Sequence, residues 1–232
     1  MYNTNLNDVL NGQVKSQSSF ISSVYLWMTL ALTLTGFTAF GVATSQALVE
    51  VVLGNKLVFW GLMLSQLGLV FYISSAIDRL SSTTAFALFI LYAILNGMTL
   101  SAVFLIYTAS SIATTFFITA GTFALMSAYG YFTDRDLTTI GNLSMMALVG
   151  LILATLVNFF LQSSTLSWII SYVGVLIFTG LIAYDTQKIK EMSLTYGNEE
   201  VRKKGMMMGA LSLYLDFVNL FIYILRILGN RD

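Results

Sequence analysis

The stretch that decides the fold is residues 206–228, with the sequence MMMGALSLYLDFVNLFIYILRIL. A helix of about 20 apolar residues crosses the hydrocarbon core of a bilayer, and this stretch is long enough to do so. Asp216 lies near its middle. A charge at that depth costs about 3 kcal/mol on insertion scales. The stretch therefore predicts a membrane-spanning helix in which contacts with the rest of the protein offset the cost of one aspartate.

Small and polar residues recur along this helix at alternating spacings of four and three, which places them on one face. The members of this polar stripe are Gly205, Gly209, Ser212, Asp216, Asn219, Tyr223 and Arg226. We expect the stripe to face protein and the apolar remainder to face lipid or packed neighbours. A simpler interpretation is that the stripe only lets helices approach, with Asp216 in a structural hydrogen bond to a facing Ser, Thr or Asn.

The composition predicts a membrane protein throughout. The chain is 57% hydrophobic and 9% charged, whereas soluble domains carry about 25% charged residues. Long apolar runs, instead of short alternating segments, exclude a β-barrel. We expect an all-α polytopic membrane protein, a seven-transmembrane-helix bundle with a hydrophilic loop at residues 188–204. The predicted spans are roughly 24–43, 57–77, 85–107, 112–132, 143–161, 166–184 and 206–228.

The domain organisation follows from these spans. Residues 1–20 form a short polar N-terminal tail, residues 21–229 a single transmembrane domain, and residues 230–232 a C-terminal tail. A cytoplasmic N-terminus would place eight basic residues inside: Lys15, Arg79, Arg135, Lys188, Lys190, Arg202, Lys203 and Lys204. Three would lie outside: Lys56, Arg226 and Arg231. Because basic residues favour the cytoplasmic side, we predict a cytoplasmic N-terminus and an external C-terminus.

Several kinds of chemistry are excluded by what the chain lacks. Its net charge is zero, so no nucleic-acid partner is indicated. The absence of cysteine excludes disulfides, thiolate catalysis and cysteine-ligated metals. The absence of histidine removes the usual proton switch near neutral pH. Any response to pH must therefore come from carboxyl groups.

Two aspartates stand apart from the predicted loops. Asp216 lies within the last span and Asp185 at the cytoplasmic end of the span before it. Consecutive spans run antiparallel, so the two can be neighbours, and two strongly interacting carboxyl groups titrate as a pair. Such a pair could sense protons without histidine. Alternatively, Asp185 sits in interfacial water and begins the hydrophilic loop.

Three segments carry a family resemblance: ALSLYLDFVNLFIYILRILG at residues 210–229, GLIAYDTQKIK at 180–190 and AYGYFTDRDL at 128–137. With them the chain resembles the Bax inhibitor-1 family, most closely its bacterial branch, over essentially all seven spans. The resemblance implies a bundle with the last helix near its centre, a pH-sensitive calcium leak, and location in the bacterial inner membrane. It also implies that Asp185 and Asp216 form the pH sensor and that Arg79 is the candidate latch of the closed state.

Physical chemistry limits the calcium expectation. A tight Ca²⁺ site takes six to eight oxygen ligands. Asp185 and Asp216, with Ser212, Asn219 and water, could supply a weak and transient metal site along a polar stripe that continues to Tyr223. Because a leak must release its ion, this small number of oxygen ligands favours conduction of calcium over its tight binding. We expect no cofactor, with calcium as the transported ion and lipid, calcium and protons as the partners.

Two other functions remain open. Intramembrane aspartyl proteases also place two aspartates on consecutive spans, the first in a pair like Tyr184–Asp185. Their Gly-x-Gly-Asp and Pro-Ala-Leu elements are missing here, so we expect no enzyme. The second alternative is an interaction protein that modulates other membrane proteins, with the aspartates structural. Calcium flux through the purified chain would favour the leak, and a stoichiometric partner would favour the alternative.

Overall fold

The computed structural model describes residues 2–194 and 198–231, with side chains from residue 16 onward. This part of the chain is built from helices. They are α1 (Tyr2–Ala43), α2 (Gln46–Val49), a π-helical turn (Glu50–Gly54), α3 (Lys56–Ala76), α4 (Ser82–Ile106), α5 (Ala109–Phe132), α6 (Thr138–Leu161), α7 (Ser164–Met192) and α8 (Glu199–Leu228).

Seven of the described helices are long and apolar enough to cross a membrane. They are α3 to α8 and the part of α1 from Ser16 to Ala43. The predicted all-α polytopic membrane fold is therefore confirmed. The chain contains no proline, so the ladder of backbone hydrogen bonds within each helix meets no residue that lacks an N–H group.

Short polar residues mark the helix ends. Asn55 precedes α3, and its Oδ1 accepts hydrogen bonds from the backbone N–H groups of Leu57 and Val58. Thr108 precedes α5 and accepts one from Ser111 in the same way. These side chains satisfy N–H groups that have no partner within the helix. At the other end of α6, Gln162 adopts a left-handed conformation with φ of 50°, which stops the helix.

The structure differs most from the predicted boundaries at two places. α1 begins at Tyr2, so the described residues of the predicted tail are helical, and Phe20 is fully buried. The predicted loop at 188–204 is helical at both ends, because α7 continues to Met192 and α8 begins at Glu199. Hydropathy does not reveal these turns, because their residues are charged. The charges are nevertheless spaced for a helix: Lys203 pairs with Glu199, four residues earlier on one face of α8, at 2.8 Å.

The helices group into two compact units. The first comprises residues 2–102 and the described part of 188–211. In it, the Glu200 carboxylate accepts hydrogen bonds from Ser82 at the start of α4, at 2.6 Å from the backbone nitrogen and 2.9 Å from the hydroxyl group. Lys204 donates to the Asp78 carbonyl oxygen at 3.0 Å. The first turns of α8 thus hold the turn between α3 and α4.

The second unit comprises residues 103–187 and 212–231. Its C-terminal residues return to the turn between α4 and α5: Thr108 donates to the Asn230 carbonyl oxygen, and the Asn230 N–H donates to the Ser111 hydroxyl group. The Arg231 guanidinium lies over the Tyr107 ring at 5.8 Å. This contact fixes the end of α8 within the unit. The division of the chain into two tails and one domain stays a prediction.

α8 is the most buried of the seven spans. Half of the residues in its most apolar 18-residue stretch are buried, against 6% in the corresponding stretch of α3. Apolar side chains on several of its faces are fully buried, including Met207, Leu213, Tyr214 and Leu220. Its Asp216 therefore lies in a helix with buried apolar side chains on several of its faces. The position of the last helix near the centre of the bundle stays a prediction.

Close backbone contact between α5 and α7 generates the first prediction. A Cβ atom at Gly130 of α5 would overlap the Ala183 carbonyl oxygen of α7, whereas a Cβ atom at Gly121 of the same helix would meet nothing within 4 Å. We expect Gly130→Ala to lower the stability of the purified protein by about 1–3 kcal/mol, as overpacking does. Thermal unfolding in detergent measures this. Gly121→Ala is the matched control, and an equal loss in both variants would contradict the close contact.

Candidate functional site

α7 carries Asp185 into the site because it continues as a helix beyond Tyr184. The segment around Asp185 belongs to the second unit. Gly174, Phe178 and Asp185 recur at helical spacing and share one face of α7. The first two lie against Tyr223 of α8, with the Phe178 and Tyr223 rings stacked at 5.9 Å. This face of α7 is therefore the one that packs on α8.

Other residues of α7 pack on α5 and α6. A Cβ atom at Gly141 of α6 would overlap the Tyr184 ring, which places that ring directly on the α6 backbone. The Thr186 hydroxyl group donates to the Ser127 hydroxyl group of α5 at 3.3 Å. Gly180 allows the Ser144 hydroxyl group of α6 to approach closely. The segment around Asp185 is thus supported by two neighbouring helices.

Asp216 is the most unusual group in this site. It is 4% exposed, and its carboxyl group interacts with that of Asp185 through a side-chain hydrogen bond and through their charges. A hydrogen bond between two carboxyl groups requires a proton on one of them. Its second oxygen, Oδ2, is buried and accepts no hydrogen bond among the described residues. The aspartates that the sequence predicts as a pair are therefore brought together.

The surroundings of Asp216 on α8 are apolar. Its neighbour Phe217 contacts Phe123 and Phe116 of α5, with ring centroids 5.5 and 5.7 Å apart. Tyr214 and Leu220 are fully buried on the same helix. Such packing limits the access of water to Asp216, and electrostatic interactions of buried groups are stronger than those in water.

The other members of the polar stripe have local surroundings of their own. The Asn219 side chain donates to the Leu215 carbonyl oxygen of its own helix at 2.8 Å. Tyr223 packs against α7, and the Arg226 guanidinium lies over its ring at 5.5 Å. Ser212 is partly buried. These contacts do not link Asn219 or Tyr223 to the carboxyl pair. The role of Ser212, Asn219 and Tyr223 along a pore stays a prediction.

Arg79 lies in the turn between α3 and α4. Its side chain is exposed, and its backbone N–H donates to the Ala76 carbonyl oxygen at 2.9 Å. It belongs to the first unit, whereas both aspartates belong to the second. Its role as a latch stays a prediction.

Reasoning from the sequence missed the groups that hold α7 in place. Gln187 is buried, and its side chain bonds to the backbone of residues 133–137, the loop between α5 and α6. The glycines at 130 and 141 allow close helix approach. One signal was available in the sequence. Gln187 lies two residues after Asp185, within the segment at 180–190 that resembles the family.

The described residues contain no cluster of three or more His, Cys, Asp or Glu side chains that could hold a metal ion. At Asp185 and Asp216, the described residues therefore offer a metal ion two carboxyl groups and no third His, Cys, Asp or Glu side chain. This donor set is too small for a tight Ca²⁺ site.

The fold and the site define a class, a polytopic α-helical membrane protein with a pair of interacting carboxyl groups between its last two spans. Residues 17–232 match the family described as "Inhibitor of apoptosis-promoting Bax1". The chain belongs to this family, the Bax inhibitor-1 family, which confirms the resemblance found in the sequence.

Bacterial relatives match nearly the whole chain. Inner membrane protein YbhL of Escherichia coli strain K12 is 48% identical over 215 residues, which cover 92% of each chain. An uncharacterized protein of Borreliella burgdorferi is 44% identical over 220 residues, covering 94% of this chain and 95% of its own. A third, from Rickettsia prowazekii, is 47% identical over 214 residues, covering 91% of this chain and 89% of its own. The likeness thus extends over the full set of spans.

The contact between the two carboxyl groups predicts reciprocal titration. Replacing either aspartate with asparagine should change the pH at which the remaining one exchanges its proton, because coupled groups titrate as a pair. Infrared spectroscopy of the purified protein across pH follows the C=O band of the protonated carboxyl group. If Asp185 titrates identically with and without Asp216, the two groups are not coupled. Asp134→Asn, which removes an exposed carboxylate from the 133–137 loop, is the control.

Proposed function

We propose that this protein is a pH-sensitive cation leak of the membrane, with calcium as its ion, gated by the protonation of Asp185 and Asp216. The observation that carries the proposal is a hydrogen-bonded carboxyl pair placed inside the membrane-spanning segments. Ionisable groups within spans are costly and commonly mark ion pathways and proton relays. The role is transport, and no catalytic step is assigned to the pair.

The gating step follows from the chemistry of the pair. With one shared proton, the two carboxyl groups attract each other and hold α7 against α8. Loss of that proton leaves two negative charges, which repel by about 4 kcal/mol at 4 Å and an effective dielectric constant of 20. This exceeds the roughly 1.4 kcal/mol that shifts an equilibrium tenfold. Deprotonation therefore favours a state in which the two helices separate at this level.

The same step creates a place for the ion. Two deprotonated carboxylates offer oxygen ligands to a divalent cation, and the Ser212 hydroxyl group and the Asn219 side chain lie on the same stripe of α8. Too few ligands are present for tight binding, so a calcium ion would stop briefly and leave. The proton and the cation would thus compete for one pair of carboxyl groups.

The bacterial inner membrane is the location we assign, with the N-terminus in the cytoplasm and the C-terminus outside. The location is supported by the name of the relative YbhL, an inner membrane protein. The orientation is supported by the excess of Lys and Arg in the segments assigned to the cytoplasm.

Calcium flux into proteoliposomes tests the proposal. The purified protein is reconstituted into vesicles that contain a calcium-sensitive dye, and flux is followed over a series of pH values. We expect the wild-type flux to change about tenfold or more across the titration of the pair, because the repulsion between the two carboxylates exceeds the free energy of a tenfold shift. Asp185→Asn and Asp216→Asn should each remove most of this pH dependence.

Asp134→Asn is the control for this experiment, because the Asp134 carboxylate is exposed and its removal should leave the profile unchanged. A wild-type flux that persists with the same pH dependence in both pair variants would overturn the gating proposal. Absence of flux from the purified wild type would overturn the leak and favour a protein that modulates a membrane partner.

The orientation has a separate test, for which a chain without cysteine is convenient. Single cysteines at Ser16 and Lys188 should react with an impermeant maleimide only after spheroplasts are opened. Cysteines at Lys56 and Arg231 should react in intact spheroplasts, because the positive-inside rule places them outside. The reverse pattern would invert the topology.

A further inference from the structure

Gln187 ties α7 to the 133–137 loop by both ends of its side chain. Its Oε1 accepts a hydrogen bond from the Leu137 N–H at 2.8 Å, and its Nε2 donates to the Arg135 carbonyl oxygen at 2.9 Å. Gln187 is 9% exposed and Leu137 is 1% exposed. The amide is therefore a buried, two-point link between one helix and one loop backbone.

The position of Gln187 on the helix gives this link a consequence for the site. Successive residues of an α-helix are rotated by about 100°, so residues two apart point in nearly opposite directions. Asp185 faces α8 and Gln187 faces the loop. Rotation of α7 about its axis would break both hydrogen bonds of Gln187 as it moved Asp185 away from Asp216.

We propose that Gln187 is a positioning residue, which sets the rotation of α7 and so holds the Asp185 carboxyl group against that of Asp216. Ala183 and Tyr184 support the same orientation by packing on Gly130 and Gly141. These glycine contacts control how closely the helices approach, whereas the two directional hydrogen bonds of Gln187 control the angle. The functional consequence of this positioning rests on the proposed gating by the pair.

Asp216 on α8 is the ionisable group that interacts directly with Asp185. Tyr184 precedes Asp185 on α7 and Lys188 lies three residues after it, and the loop that Gln187 holds carries Asp134, Arg135 and Asp136. α5 and α6 face this segment with glycine and hydroxyl groups. The pKa of Asp136 lies below its ordinary value because its carboxylate accepts hydrogen bonds from the Thr138 hydroxyl group and from the Thr138 backbone N–H, the latter at 2.8 Å. This loop carboxylate therefore takes up its proton at a lower pH than an ordinary carboxyl group does.

The test compares two buried glutamines. Gln66 of α3 is also 9% exposed and also bonds to a neighbouring helix, through the Leu95 carbonyl oxygen and the Thr99 hydroxyl group. Gln187→Leu and Gln66→Leu thus remove similar hydrogen bonds from similar depth, but only Gln187 belongs to α7. Both should lower thermal stability, and only Gln187→Leu should alter the carboxyl pair.

The readout is modification of Asp185 by dicyclohexylcarbodiimide, which reacts with protonated carboxyl groups in apolar surroundings. The pH profile of labelling is measured by mass spectrometry for both variants, the wild type and Asp216→Asn. We expect the Gln187→Leu profile to move at least halfway from the wild-type profile toward that of Asp216→Asn, in which Asp185 has lost its partner. The Gln66→Leu profile should match the wild type.

A wild-type labelling profile in Gln187→Leu would overturn the positioning role. An equal shift in both glutamine variants would also overturn it, because general loosening would then explain the effect. Labelling does not depend on conduction. If labelling shifts as expected but the wild type conducts no calcium, the positioning role stands and the proposed leak fails.

Discussion

The structure depends on one constraint: a carboxyl group in the middle of an apolar helix must find a partner that is also inside the protein. Asp216 satisfies it with a second carboxyl group, that of Asp185, and a hydrogen bond between the two requires a proton on one of them. A hydroxyl or amide partner would also have satisfied the buried group, but only a second ionisable group makes the two titrate as a pair. Because the partner is a second acid, the net charge of the pair depends on how many protons the two carboxyl groups carry.

A change in the charge of the pair can move α7 relative to α8 in a defined direction only if other contacts hold both helices. α7 is supported on the side away from Asp216 by glycine contacts with α5 and α6 and by the two hydrogen bonds of Gln187. The end of α8 is fixed by its return to the turn at Tyr107 and Thr108. Repulsion within the pair would then act between two supported helices, as a separation at the level of the aspartates.

The number of spans and the pairing of Asp185 with Asp216 could be predicted from the sequence, because apolar length and misplaced charge are local signals. The helical turns after Tyr184 and before residue 206 could not be predicted in this way, because their charged residues give them the low hydropathy that is typical of a loop. Those turns matter, because they place Asp185 within a helix where it can reach Asp216. The role of Gln187 was also hidden, since the partner of a glutamine is set by tertiary packing at residues distant in the chain.

The central claim is that the two aspartates act as one gating unit. A double-mutant cycle on the pH dependence of calcium flux tests it most directly, with Asp185→Asn, Asp216→Asn and the double variant measured beside the wild type. The account predicts that the double variant behaves as either single variant does, because removing one member already abolishes the shared proton. Additive effects of the two substitutions would contradict it, since independent groups would then control the flux.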